Sequence, residues 1–171
     1  MRIVAGRFAG HDLTSPRDRR VRPTAEEVRA ALLDRLAREV KGARVLDLFA
    51  GSGALGLEAI SRGARSCDFV EFRPSSLHAL KANVVALRLK AVTRVFAKDA
   101  LPFMRALPPE SYDLVFADPP YTSRLADRVL ATWRENRFAA VLVVEHAASH
   151  DLPAGAGRLV MGDTRVTIYR S

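Results

Sequence analysis

The 171-residue chain has a single cysteine, Cys67, no glutamine, and only two asparagines, Asn83 and Asn136. One thiol forms no intrachain disulfide, and no Cys/His spacing of a metal or redox site accompanies it, so Cys67, just before the apolar Phe69-Val70, reads as a core residue. The amide depletion fits a thermophile or a codon bias equally. No apolar run approaches the roughly 18 residues needed to cross a bilayer, and Met1-Arg2-Ile3-Val4-Ala5-Gly6 has no apolar signal core. These absences predict a soluble, unprocessed, cytoplasmic protein that does not enter a membrane. His11, His78, His146 and His150 share no partner spacing and read as surface or packing residues.

A hydrophobic content of 49% is ample for one core at this length. The net charge of +8 favours a polyanionic partner. Arg2, Arg7, Arg17, Arg19, Arg20 and Arg22 stand against only Asp12 and Asp18 in the opening segment, the density expected of a phosphate-binding arm. A solvated loop with many arginine codons would look the same.

Ile3-Val4-Ala5 and His11-Asp12-Leu13, with glycines between, suggest a short hairpin. Thr24 with Glu27 has capping-box spacing and opens a helix running to Lys41-Gly42. Beyond Arg44, strands and helices alternate. Strands are expected at Val45–Phe49, Asp68–Glu71, Thr93–Ala97, Tyr112–Ala117 and Ala139–Glu145, with helices between them, and a terminal hairpin at Arg158–Arg170 turns around Gly162-Asp163. The result is an α/β fold with an open, mostly parallel seven-stranded sheet and a C-terminal antiparallel hairpin. Such sheets bind ligands at the carboxyl ends of their strands, where Asp47, Gly51, Glu71, Asp99 and Asp118 all fall.

Gly51-Ser52-Gly53-Ala54-Leu55-Gly56 matches the dinucleotide fingerprint, and Glu71 follows Gly51 by twenty positions, so a dinucleotide oxidoreductase is one reading. Asp47 argues against it. An acid just before the glycine turn would repel pyrophosphate, whereas S-adenosylmethionine has no phosphate and carries a cationic ammonium and sulfonium. Glu71 can accept from both ribose hydroxyls. Asp99 can accept from the adenine amine, or cap a helix.

Asp118-Pro119-Pro120-Tyr121 ends the apolar run Leu114-Val115-Phe116. Proline has no N–H, so this loop offers carbonyl oxygens and the Asp118 carboxylate but few donors. Acceptors in that density suit an –NH₂ group, and Tyr121 offers a face for a base to stack on. An amine conjugated into its ring is a poor nucleophile until acceptors orient its hydrogens and let the lone pair localise. The motif therefore points to methyl transfer onto nitrogen.

Asp47-Leu48-Phe49-Ala50-Gly51-Ser52-Gly53-Ala54-Leu55-Gly56-Leu57-Glu58-Ala59, the Asp118–Tyr121 loop, Arg2-Ile3-Val4-Ala5-Gly6 and Arg22-Pro23-Thr24 with Val28-Arg29 together resemble the bacterial RsmD family of 16S ribosomal RNA guanine-N2 methyltransferases. The resemblance covers essentially the whole chain. It implies a Rossmann-like class I S-adenosylmethionine-dependent methyltransferase domain at 43–171, preceded by an RNA-binding extension at 1–42. It further implies that Asp47, Ala50, Gly51, Ser52, Gly53, Glu71, Phe72, Asp99, Ala100 and Asp118 hold S-adenosylmethionine, which leaves as S-adenosylhomocysteine. Asp118 and the Pro119 carbonyl would hold the guanine amine, Tyr121 would stack on the extruded base, and no metal is implied. The implied partner is 16S ribosomal RNA in an assembled or assembling small subunit, met by a monomer. Arg73, Ala30 and Leu33 depart from the family pattern. A DNA adenine-N6 or cytosine-N4 methyltransferase would share both motifs, although about forty N-terminal residues are few for reading a duplex. A non-catalytic RNA-binding assembly factor would have no need of the acceptor loop.

Overall fold

The computed structural model describes residues 1–16, 23–121 and 124–171, with the backbone alone at 23–25. Arg17, Arg19, Arg20 and Arg22, and the side chain of Thr24 with its expected cap, lie outside the described residues. The elements run α1 (Pro23–Arg35), α2 (Ala37–Val40), β1 (Arg44–Leu48), α3 (Ala54–Ser61), β2 (Ser66–Val70), α4 (Pro74–Ala86), β3 (Thr93–Phe96), α5 (Ala100–Arg105), β4 (Tyr112–Ala117), α6 (Leu125–Asn136), β5 (Ala139–Ala147), β6 (Gly157–Met161) and β7 (Thr164–Arg170). Every strand expected beyond residue 43 is present. The sheet order is β3-β2-β1-β4-β5-β7-β6. The first five strands are parallel, and β7 enters antiparallel between β5 and β6.

Parallel strands covered on both faces read as continuous apolar runs, and alternate residues divide between two layers. On one side Val45, Phe69, Leu114, Phe116 and Val143 meet α1, α3 and α4 through Leu33, Leu57 and Leu80. On the other Leu46, Leu48, Val115, Leu142 and Val144 meet α5 and α6 through Met104, Val129 and Trp133. Ile3, Leu13, Val28, Leu32 and Leu36 belong to the first of these layers, so the N-terminal segment shares its core with the sheet.

That segment differs from a regular hairpin. It holds one antiparallel bridge, Arg2 with Asp12, supported by hydrogen bonds from Ile3 N to the His11 carbonyl and from Leu13 N to the Met1 carbonyl. The reason lies in Glu58, fully buried on α3, whose carboxylate accepts from Val4 N at 2.9 Å and Ala5 N at 3.0 Å and so takes donors a ladder would use. The single helix expected over residues 24–41 is interrupted at Leu36.

Among the described residues no helix is long and apolar enough to cross a membrane.

Candidate active site

The site is built where β1, β2, β4 and β5 end. At β1, alternation turns Asp47 into the layer of Phe116, with which it pairs in register, and its carboxyl is 3% exposed. Oδ2 accepts from Gly56 N at 3.0 Å, which ties the strand to the first turn of α3. The chain then reverses through Phe49 and Gly51 at φ of 60° and 55°, and Gly53 N donates to the Ala50 carbonyl at 2.7 Å. Gly56 is fixed by packing. A Cβ there would stand 2.5 Å from the Phe69 ring and 2.6 Å from Cys67 Sγ, so only glycine lets α3 lie this close to β2.

At the end of β2, Glu71 is buried and well satisfied. Oε2 accepts from Gly51 N at 2.9 Å, while Oε1 accepts from Phe72 N at 2.9 Å, Arg73 N at 2.8 Å and Arg73 Nε at 3.3 Å. Burial alone would raise this carboxyl, but the Arg73 backbone and guanidinium and the Gly51 N–H outweigh it and hold the group below the usual carboxylate range. Asp47 goes the other way. Burial, against the single Gly56 N–H and with the Glu71 charge nearby, pushes it up to about 7.

Asp118 follows β4 and stands open to the cleft, yet crowded by protein on its remaining sides. Among the described residues its carboxyl takes no hydrogen bond. Desolvation, then the charges of Glu145 and Asp47, push its pKa well above the carboxylate range, with Arg73 opposing. Tyr121, 43% exposed, donates its hydroxyl to Glu145 Oε1 at 2.9 Å and lies 3.2 Å from Thr164 Oγ1. Burial also raises Glu145, and the Tyr121 hydroxyl partly offsets this.

Two cavities meet here and share Phe49, Arg73 and Asp118. One of about 260 Å³ is lined by Glu71, Phe72, Lys98, Ala100, Pro119 and Tyr121 among others. The second, of about 250 Å³, is bordered by Asp47, Ala50, Gly51, Ser52, Arg29 and Glu145. Most expected cofactor and base residues are therefore gathered at one cleft. Gly53 sits in the turn beneath it, against Leu80. Asp99 is exposed and caps α5, accepting from Leu101 N at 3.1 Å, between two residues that line the first cavity. Arg7 is elsewhere. Its backbone N–H donates to the Ser61 carbonyl and its guanidinium lies over the Phe8 ring at 4.5 Å, a helix length from the glycine turn. Arg2 lines neither of these two cavities but stands directly behind the second, its carbonyl taking Nη2 of the cavity residue Arg29 at 2.6 Å.

Sequence reasoning missed Glu145 and Arg29 as residues of the cleft, and noted Arg73 only as a departure from the family pattern after Glu71. Glu145 carried a usable signal, because an acid closing an apolar strand is the same mark that drew attention to Glu71 and Asp118.

This sheet order, with acidic groups closing the strands around a glycine turn, defines an S-adenosylmethionine-dependent methyltransferase of Rossmann-like fold. The comparisons agree. The family described as Conserved hypothetical protein 95 matches over residues 1–168, and the chain belongs to it, the RsmD family of the sequence resemblance. The chain is 33% identical to ribosomal RNA small subunit methyltransferase D of Escherichia coli strain K12 over 156 residues, covering 90% of this chain and 78% of the relative. It is 32% identical to YlbH of Bacillus subtilis strain 168 over 181 residues, covering 99% and 98%. The solved structure of Escherichia coli yhhF superposes with a TM-score of 0.87 at 31% identity, covering 99% of this chain and 97% of that one.

Proposed function

We propose that this protein transfers the methyl group of S-adenosylmethionine to the exocyclic N2 of a guanine in 16S ribosomal RNA, with the small ribosomal subunit as its substrate. The observation that carries the reading is Asp118, a cleft carboxyl without a hydrogen bond among the described residues, followed by two prolines and an accessible tyrosine ring.

The cleft fits the methyl donor. Asp47 is a buried acid held by one N–H among the described residues, an arrangement that favours a cation nearby and opposes a pyrophosphate. Gly51, Ser52 and Ala50 would flank the aminoacyl part, and Phe72, Ala100 and Asp99 the adenine. Glu71 would take the ribose hydroxyls in place of the Arg73 guanidinium, which is 56% exposed and able to move into solvent. When bound, S-adenosylmethionine supplies the methyl, a C–N bond forming as the C–S bond breaks.

The chain does the rest. The Asp118 carboxylate and Pro119 carbonyl accept the two amine hydrogens, which turns the nitrogen lone pair out of conjugation. Asp118, with its raised pKa, is suited to take the proton the amine sheds once it is methylated. The Tyr121 ring stacks on the base. Residues 1–42, with the arginine arm, would contact RNA phosphates.

Small subunits and naked 16S RNA from cells lacking the protein, incubated with labelled methyl donor, should yield N2-methylguanosine on nuclease digestion and mass analysis. Methylation of adenine or cytosine instead, or of no RNA, would overturn the reading.

A further inference from the structure

Asp118 does not stand alone at the base-binding wall. Ala117 of β4 pairs in parallel register with Val144 of β5, so the next residues of the two chains, Asp118 and Glu145, are neighbours across the sheet end. Both line the second cavity. Among the described residues the Glu145 carboxylate is held at one oxygen: Oε1 takes the Tyr121 hydroxyl at 2.9 Å, and Thr164 lies 3.2 Å behind that hydroxyl. Among the described residues the other oxygen takes no hydrogen bond. The cleft thus presents two adjacent carboxyl groups, each with an acceptor to spare.

Only one base edge suits that pair. Guanine places a ring N–H donor, N1–H, directly beside its 2-amino group. Adenine and cytosine place an unprotonated ring nitrogen, an acceptor, beside theirs. We propose that Glu145 accepts the N1–H of the guanine whose amine Asp118 holds, and that it thereby makes the site specific for guanine. This rests on the guanine-N2 reading above and deepens it. An adenine or cytosine would set its ring nitrogen against the carboxylate and leave both acceptors unpaired, which is the kind of mismatch a polar pocket rejects most strongly. The Tyr121 hydroxyl then has a second use. By fixing Oε1 it leaves Oε2 to the base, and it ties the stacking ring to the residue that reads the edge.

The test uses guanosine, N1-methylguanosine and 2-aminopurine riboside, bound to the whole protein in the presence of S-adenosylhomocysteine. 2-Aminopurine keeps the 2-amino group but has an acceptor where guanine has N1–H, and its fluorescence reports stacking. The unaltered protein should prefer guanosine to either analogue by roughly 10–100-fold, the cost of leaving a buried acceptor unpaired. In Glu145→Gln the amide carbonyl keeps the Tyr121 hydroxyl and the –NH₂ faces the ring nitrogen, so the preference should collapse or reverse toward 2-aminopurine, with S-adenosylhomocysteine affinity unchanged. The same guanosine to 2-aminopurine ratio in both proteins would overturn the proposal. Should the variant fail to bind S-adenosylhomocysteine, the unaltered protein still decides: equal affinity for guanosine and N1-methylguanosine overturns it. If small subunits are methylated on guanine N2 while these ratios are flat, only the role of Glu145 falls. If no guanine is methylated, the underlying function falls with it.

Discussion

Arg29 of α1 reaches Glu58 of α3, Nε to Oε2 at 3.2 Å, with both side chains shut off from solvent. The same carboxylate receives Arg62 Nε at 3.1 Å and the backbone N–H groups of Val4 and Ala5, so one acid joins the opening segment to both α1 and α3. Glu58→Ala would leave Arg29 buried and unpaired, which costs about 3–5 kcal/mol. Urea unfolding of the variant should show a loss of that order. A loss below about 1 kcal/mol would mean that solvent replaces the carboxylate and that the segment is held by its apolar contacts and its hydrogen bonds to Ser61 and Asn83.

Asp118→Ala should leave the fold and methyl-donor binding largely intact while lowering turnover by about 10²–10⁴-fold, the range for a lost acid–base partner. Single-turnover methylation of small subunits measures it. Activity within a small factor of the parent would mean that orientation of the amine does not depend on this carboxyl.

The Asp47 carboxyl has an ordinary pKa of 3.8 and is pushed up to about 7 by burial in the folded protein. The folded chain therefore keeps a proton that the unfolded chain has released, and stability from this group is lost as pH rises from about 4 to about 7. A cation beside Asp47 reverses the preference. Binding of S-adenosylmethionine near pH 6 should release protons, seen as a calorimetric enthalpy that varies with the ionisation enthalpy of the buffer, and less so for S-adenosylhomocysteine. Asp47→Asn should reduce the release. NAD should not bind. A buffer-independent enthalpy would show that the sulfonium lies far from this acid.

Arg17, Arg19 and Arg20 changed together to alanine should weaken RNA binding and leave methyl-donor affinity alone. For single-stranded RNA the slope of log affinity against log salt is about −0.7 per phosphate neutralised, so the slope should flatten by up to about two units. Filter binding across a salt series, on small subunits and on a short hairpin, provides the measurement. An unaltered slope on both would make the arm a solvated loop and move the RNA contact elsewhere on the surface.

The strands were legible because buried parallel strands announce themselves as apolar runs between glycine and proline punctuation. The site acids were legible for the same reason, since Asp47, Glu71 and Asp118 interrupt or end such runs. Strand order is a property of pairing between distant segments, and local periodicity does not contain it, so the sequence reading left open which strand β7 would join. Glu58 was quoted as part of a motif, yet its partners Val4, Ala5 and Arg29 lie 29 to 54 positions away, beyond any local pattern. The opening residues were expected to pair as a hairpin because two short stretches, Ile3-Val4-Ala5 and His11-Asp12-Leu13, flank a pair of glycines. A buried acid competing for their donors could not be seen without the fold.

The insertion of β7 between β5 and β6 sets an order on the birth of the enzyme. The glycine turn, Asp47 and Glu71 all precede residue 72, and their mutual contacts can close while much of the chain is still being made. The perch of Tyr121 cannot. Glu145 gains its register neighbour Val166, and the tyrosine hydroxyl gains Thr164, only after β6 has been synthesised and β7 has slipped past it into the sheet. The nascent chain therefore completes the segment that carries Asp47 and Glu71 before it makes the strand that supplies Thr164 to the Tyr121 hydroxyl.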